Sequence, residues 1–131
     1  MNILLVYLKR KWSTAEYFEE AFRKFADVDV FNFAETPYWS DFRFKLPFYI
    51  PKGIPVSVKS VIEKFDKKFD LIIEIATAGQ HHLVGYKKVH KLFPEIKRIF
   101  IACDVYRFDQ RKFMLWIKND FDYIFSTQKI L

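Results

Sequence analysis

Glycine is scarce in this chain of 131 residues, which contains only Gly53, Gly79 and Gly85. A dinucleotide-binding fold needs glycines in the turn after its first strand, where backbone N–H groups approach the pyrophosphate. The turn after the first predicted strand reads "LKRKW" instead, and no Walker-type phosphate loop occurs elsewhere. The sequence therefore argues against nucleotide binding by the first turn and predicts no cofactor for this domain.

Cysteine and long hydrophobic runs are also nearly missing. Cys103 is the one cysteine and cannot form an internal disulfide. The longest apolar runs, such as residues 3–7 and 71–73, are far shorter than the roughly 20 residues of a membrane-spanning helix. In the opening "MNILLVYLKRKW" the charges follow the apolar stretch, whereas a secretory signal peptide carries them before it. These features predict a cytoplasmic protein without a transmembrane segment.

Hydrophobic and aromatic residues are abundant. They make up 51% and 20% of the chain, and this composition excludes a disordered protein. The length suits one domain over residues 1–131 with a single core. A formal charge of +6 attracts phosphates, anionic lipid or nucleic acid, although the same charge is common on ordinary soluble proteins.

Continuous apolar runs alternate with helical patterns along the chain. Strands that lack an apolar–polar alternation need cover on both faces, and interleaved helices supply it. The sequence therefore predicts an α/β fold, a Rossmann-like doubly wound sheet of about five parallel strands with helices on both faces. The predicted strands are residues 2–7, 28–33, 71–76, 99–103 and 123–126.

Four helices are predicted between these strands. Ser13 and Glu16 have the spacing of a capping box, with Ser13 as the N-cap. An apolar stripe follows it in the first helix, and Pro55 opens the second helix. A short third helix ends before Pro94, and residues 107–118 form the fourth. The stripe of the first helix is Ala15, Phe18, Phe22 and Phe25, and the inner face of the second is Val58, Val61, Ile62 and Phe65.

Ligands of such sheets bind beyond the carboxyl ends of the strands, where the candidate residues of this chain follow. A histidine near neutral pH can act as a general base, and an aspartate can orient it or bind a hydroxyl. The predicted catalytic residues are therefore His81 and Asp104; equally, Asp104 can simply cap the next helix and the histidines can be ordinary loop residues. The predicted substrate-binding residues are Lys9, Arg10, Trp12, Gly79, Gln80, His82, Tyr106 and Arg107.

Two other kinds of site are disfavoured. A receiver-type phosphorylation site needs an acidic pair after the first strand, where this chain is basic. Adjacent histidines in an extended chain point in opposite directions, and no Cys or His pair has zinc spacing. The sequence therefore predicts no metal site.

Residues 34–54 form an aromatic insert that is too long for an ordinary connection. Its aromatic side chains suit a stacking platform for a sugar, a lipid or bases. The alternation in "DFRFKLPFY" favours instead a strand or arm whose apolar face packs on the core.

Three stretches resemble the N-terminal half of GT-B glycosyltransferases, especially the spore-maturation (CgeB-like) group. They are "MNILLVYLKRKWSTAEYFEEAFRKF", "FDLIIEIATAGQHH" and "RIFIACDVYRF…NDFDYIFSTQKIL". The resemblance implies an acceptor-side domain of an enzyme that transfers a sugar from a nucleotide-sugar to a sugar or lipid-linked acceptor. It also implies that a C-terminal donor-binding domain follows, without which this half is inactive.

Two alternatives to this function stay open. Basic residues beside Trp12 suit a nucleic-acid-binding module whose affinity falls steeply with salt. A non-enzymatic interaction domain would use the aromatic insert 34–54 as its contact surface. A homodimer through an exposed apolar flank is a further expectation.

Overall fold

Eight elements of regular secondary structure occur in the computed structural model, which describes residues 1–7, 14–32, 57–77, 83, 85–103, 115 and 117–126. The strands are β1 (Asn2–Tyr7), β2 (Asp27–Asn32), β3 (Leu71–Thr77), β4 (Lys97–Cys103) and β5 (Tyr123–Ser126). The helices are α1 (Ala15–Arg23), α2 (Val58–Phe65) and α3 (Tyr86–Leu92).

The five strands form one sheet in the order β2-β1-β3-β4-β5, and each neighbouring pair is parallel. The predicted Rossmann-like α/β fold is thereby confirmed. The observed order is that of the flavodoxin-like variant of doubly wound sheets.

Each face of the sheet carries its own hydrophobic core. Side chains alternate along a strand, so that neighbouring residues of β1 enter different cores. Ile3, Leu5 and Tyr7 pack on the side of α1, whereas Leu4 and Val6 pack on the side of α2 and α3. Burial on both faces explains why β1 and β3 read as nearly continuous apolar runs, whereas β2 at the end of the sheet order alternates as DVDVFN.

The two longer helices begin differently. Ser57 has an extended backbone at the N-cap of α2, and its hydroxyl accepts a hydrogen bond of 3.1 Å from the backbone N–H of Ser60. The N-cap of α1 is Thr14, in helical conformation and without a side-chain cap hydrogen bond. The predicted cap at Ser13 is therefore shifted by one residue, and Ser13 itself lies outside the described residues.

The remaining differences from the predicted elements concern their ends. β4 begins two residues earlier than predicted because Arg98, whose charge suggested a loop, is held by buried contacts. Within the predicted helix 107–118 the described backbone is helical at Leu115 and Ile117, and Ile117 packs in the core beside α2 and α3. The aromatic insert 34–54 lies outside the described residues.

The amino ends of the strands are joined by a repeated pair of hydrogen bonds. The carboxylate of Asp70, just before β3, accepts a 2.7 Å bond from the backbone N–H of Asn2, and its own N–H donates to the carbonyl of Asn2. Asp122, just before β5, makes the same two bonds with the backbone of Arg98, each 2.8 Å long. Both pairs fix the register of adjacent strands at this edge.

Candidate functional site

The strand order reverses between β1 and β3. The chain leaves β1 for β2 on one side of the sheet and places all later strands on the other side. Ligands of open parallel sheets bind beyond the carboxyl ends of the strands at such a point. The strands end there at Tyr7, Thr77 and, for the adjacent β4, Cys103. This carboxyl edge is the candidate functional site.

The predicted site residues belong to segments that follow β1, β3 and β4 in the sequence, and these three strands are adjacent. The structure thus brings together the strands that lead into the predicted segments. The residues themselves lie outside the described part of the chain, so that their roles stay predictions: Lys9, Arg10, Trp12, Gly79, Gln80, His81, His82, Asp104, Tyr106 and Arg107.

A tyrosine–glutamate hydrogen bond joins the end of β1 to the middle of α1. Tyr7 is the last residue of β1 and is fully buried. Its hydroxyl donates a 2.8 Å hydrogen bond to Oε1 of Glu19, which lies in the middle of α1. Arg23, one turn further along the helix, forms an ion pair of 3.2 Å with Oε2 of the same glutamate. The bond fixes α1 against the end of β1.

A second tyrosine–glutamate hydrogen bond joins the middle of β3 to the start of α3. Glu74 lies in the middle of β3 and has no solvent exposure. Oε2 of Glu74 accepts a 2.5 Å hydrogen bond from the hydroxyl of Tyr86, the first residue of α3. The sequence between them includes four of the predicted site residues, Gly79, Gln80, His81 and His82.

The start of α3 is held by two further features. The guanidinium Nη1 of Arg98, which is 5% exposed, donates a 3.1 Å hydrogen bond to the carbonyl of Tyr86. Gly85 caps the helix with φ of +90°, a left-handed conformation that costs other residues about 1 kcal/mol or more. Both features define where the helix begins.

Both tyrosines are poor acids in this fold. Burial raises the pKa of Tyr7, and the hydrogen bond and charge of Glu19 raise it further. Burial also raises the pKa of Tyr86, followed by the charge of Glu74 and the hydrogen bond to it. Both phenols therefore stay protonated at neutral pH and act as hydrogen-bond donors. We interpret the tyrosines and glutamates as residues that position α1 on β1 and α3 on β3, beside the reversal point.

Reasoning from the sequence missed these residues, although one signal was present. A glutamate within the apolar run "LIIEIA" stands where a doubly covered strand has no contact with water. Such a charge requires a hydrogen-bonding partner inside the core. In both hydrogen bonds the tyrosine and the glutamate are twelve positions apart in the sequence. They come into contact only because the helix packs on the strand that precedes it.

The described residues contain no group of three or more His, Cys, Asp or Glu side chains arranged to hold a metal ion. None of the helices in the described ranges has the length and apolarity needed to cross a membrane.

Comparisons with protein-family models, with curated proteins and with solved structures give no match.

Proposed function

We propose that this chain is the acceptor-side domain of a glycosyltransferase, with the acceptor at the carboxyl edge of β1, β3 and β4. The observation that carries the proposal is the reversal of strand order between β1 and β3. Beside this point, tyrosine–glutamate hydrogen bonds hold α1 on β1 and α3 on β3. The resemblance of the three sequence stretches to GT-B enzymes supports the same assignment.

The chemistry of glycosyl transfer divides between two domains in this proposal. A base must take the proton of the acceptor hydroxyl, and positive charge must stabilise the leaving diphosphate. His81 and Asp104 follow β3 and β4 and are the candidate bases. A second domain supplies donor binding, because the turn after β1 has no glycine with which to approach a diphosphate. The domain alone is then inactive.

The test is a pair of titrations of the ¹⁵N-labelled chain, one with glucose or N-acetylglucosamine and one with uridine diphosphate. We expect sugar-dependent shifts at the ends of β1, β3 and β4, with millimolar affinity, and no saturable binding of the nucleotide. H81A and D104A should weaken the sugar response, whereas the variant H90A in α3 serves as a matched control. Stoichiometric binding of the diphosphate at this edge contradicts the proposal.

The distribution of charge favours a second candidate function, nucleic-acid binding. Residues 8–13, 33–56, 104–116 and 127–131 follow β1, β2, β4 and β5 in the sequence and contain 10 of the 22 basic and 4 of the 16 acidic residues of the chain. Their excess of 6 basic residues equals the formal charge of +6, because the rest of the chain has 12 residues of each sign. All of these 14 residues follow the carboxyl end of a strand in sequence.

Salt dependence distinguishes the two candidates. A nucleic-acid-binding module loses affinity for single-stranded oligonucleotides steeply between about 50 and 200 mM salt, because counterions are released. A sugar acceptor is neutral, so that its binding is insensitive to salt. Oligonucleotide binding with a steep slope and no response to sugars would favour the second candidate.

A further inference from the structure

An open apolar groove lies on the α1 face of the sheet, away from the carboxyl edge. It has a volume of about 360 Å³. Its floor is formed by apolar side chains of β1, β3 and β4, one wall by α1 and the other by β5. The lining residues are Ile3, Phe18, Phe22, Phe25, Leu71, Ile73, Ile99, Ile101, Phe125 and Ser126.

The groove follows from the topology of the sheet. Right-handed crossovers place a helix that leads from β1 to β2 on one face, and helices that lead towards β3, β4 and β5 on the opposite face. Accordingly α1 packs on one core and α2 and α3 on the other. Within the described residues α1 is the only helix on its face, so that β3 and β4 have no helical cover there.

The apolar stripe of α1 faces this groove instead of a closed core. Ala15 is buried, Phe18 and Phe22 are only partly covered, and Phe25, which was predicted on this stripe but follows the end of the helix, is 62% exposed. On the opposite wall Phe125 is 54% exposed. Tyr123, which lies on the same face of β5 as Phe125, is 55% exposed. Large aromatic side chains in this number are costly to leave in water.

We propose that a second copy of this chain covers the groove and forms a symmetric dimer. An isologous interface needs one surface that contains both a depression and projecting side chains, since the same surface is used twice. The groove supplies the depression, and the aromatic side chains of Phe25, Tyr123 and Phe125 supply the projections. At these exposures the three offer about 350 Å² of apolar surface, to which the half-covered groove residues and strand pairing at β5 add. A stable interface needs about 800 Å² from each partner.

The edge of the sheet adds a second argument for self-association. Among the described strands β5 is the last in the sheet order and pairs with β4. Its sequence, YIFS, contains neither charge nor proline. A terminal strand of this composition can add to a strand of a second copy, and β5 also forms the wall of the groove. The proposal does not depend on the proposed function, because the groove and the carboxyl edge are separate.

Sedimentation of the whole chain over a concentration series tests the proposal. We expect a dimer at micromolar concentration and at least about a tenfold rise in its dissociation constant in F25E and F125E, as for residues at the centre of an interface. The matched control is L92E, because Leu92 is 48% exposed on α3, on the other face. It should dimerise like the wild type. A wild-type monomer at 100 µM, or three variants that all dimerise normally, overturns the proposal.

Hydrogen exchange of the wild type provides a readout that needs no substitution. Amides of α1 and β5 should exchange more slowly as the chain concentration rises, while those of α3 should not change. Concentration-dependent protection confined to α3, or to no described element, contradicts an interface at the groove.

Discussion

At the scale of single residues, the most informative side chain is Glu74. A carboxylate without solvent exposure is costly unless hydrogen bonds replace its lost water. The hydroxyl of Tyr86 supplies one such bond at 2.5 Å. Glu19, the acceptor of the other tyrosine–glutamate bond, retains 17% side-chain exposure and an ion pair with Arg23. The two bonds therefore differ in how much the fold depends on them.

The first prediction compares the two tyrosines. Y86F removes a donor from a buried carboxylate and should lower the free energy of unfolding by about 2–3 kcal/mol. Y7F should cost about 1 kcal/mol, because water and Arg23 still reach Glu19. Urea denaturation of both variants measures the difference, with Y17F at an exposed position as the control. Equal losses in Y86F and Y7F would show that burial of Glu74 does not set the cost.

The second prediction concerns the pH dependence of stability. Burial alone would raise the pKa of Asp122, but hydrogen bonds from the backbone and guanidinium of Arg98, together with its charge, lower it overall. A carboxyl whose folded pKa is depressed stabilises the fold above its unfolded pKa of about 3.9, and the contribution is lost as the pH falls through the folded pKa.

D122N tests this dependence. At pH 6 the variant should be about 1 kcal/mol less stable than the wild type, because the amide loses the charge-assisted part of the contact. As the pH falls from 5 to 2 the difference should shrink towards zero. Urea midpoints at several pH values measure it. A difference that stays constant over this range would mean that the carboxylate charge contributes nothing.

At the scale of elements, helix α2 and helix α1 offer a matched pair of caps. S57A removes the hydroxyl that accepts from the N–H of Ser60 and should cost about 1 kcal/mol. T14A should change stability by only a few tenths, since Thr14 makes no cap hydrogen bond. Thermal unfolding monitored by circular dichroism measures both. A larger loss in T14A than in S57A would contradict the observed caps.

How far the elements could be predicted depends on their surroundings. The bounds of β1 and β5 were predicted correctly; β1 is an apolar run covered on both faces, whereas β5 is a short apolar run exposed on one face, and polar residues follow each within two positions. The start of β4 was missed, since Lys97 and Arg98 resemble loop residues until the contacts of Arg98 are known. The cap of α1 was missed by one residue because the capping-box spacing singled out Ser13, whereas the observed N-cap Thr14 is followed three residues later by Tyr17 and does not fit that motif.

At the scale of the whole molecule, the class of fold was predictable and the strand order was not. Alternating strand and helix patterns specify a parallel sheet, but several orders of five strands satisfy the same pattern. The groove beside α1 depends on the order, and so it could not be expected from sequence alone. The buried partners of Glu74 and Tyr7 depend on the crossovers in the same way.

The paired hydrogen bonds of Asp70 and Asp122 have a consequence for engineering. They hold strand register through backbone groups at one rim of the sheet, so that register does not rely on what connects the strands at the other rim. A loop grafted after Cys103, between β4 and β5, should therefore leave the alignment of these two strands unchanged. The chain thus suits combinatorial libraries in which the sequence of that loop is varied to bind different ligands while the sheet stays unchanged.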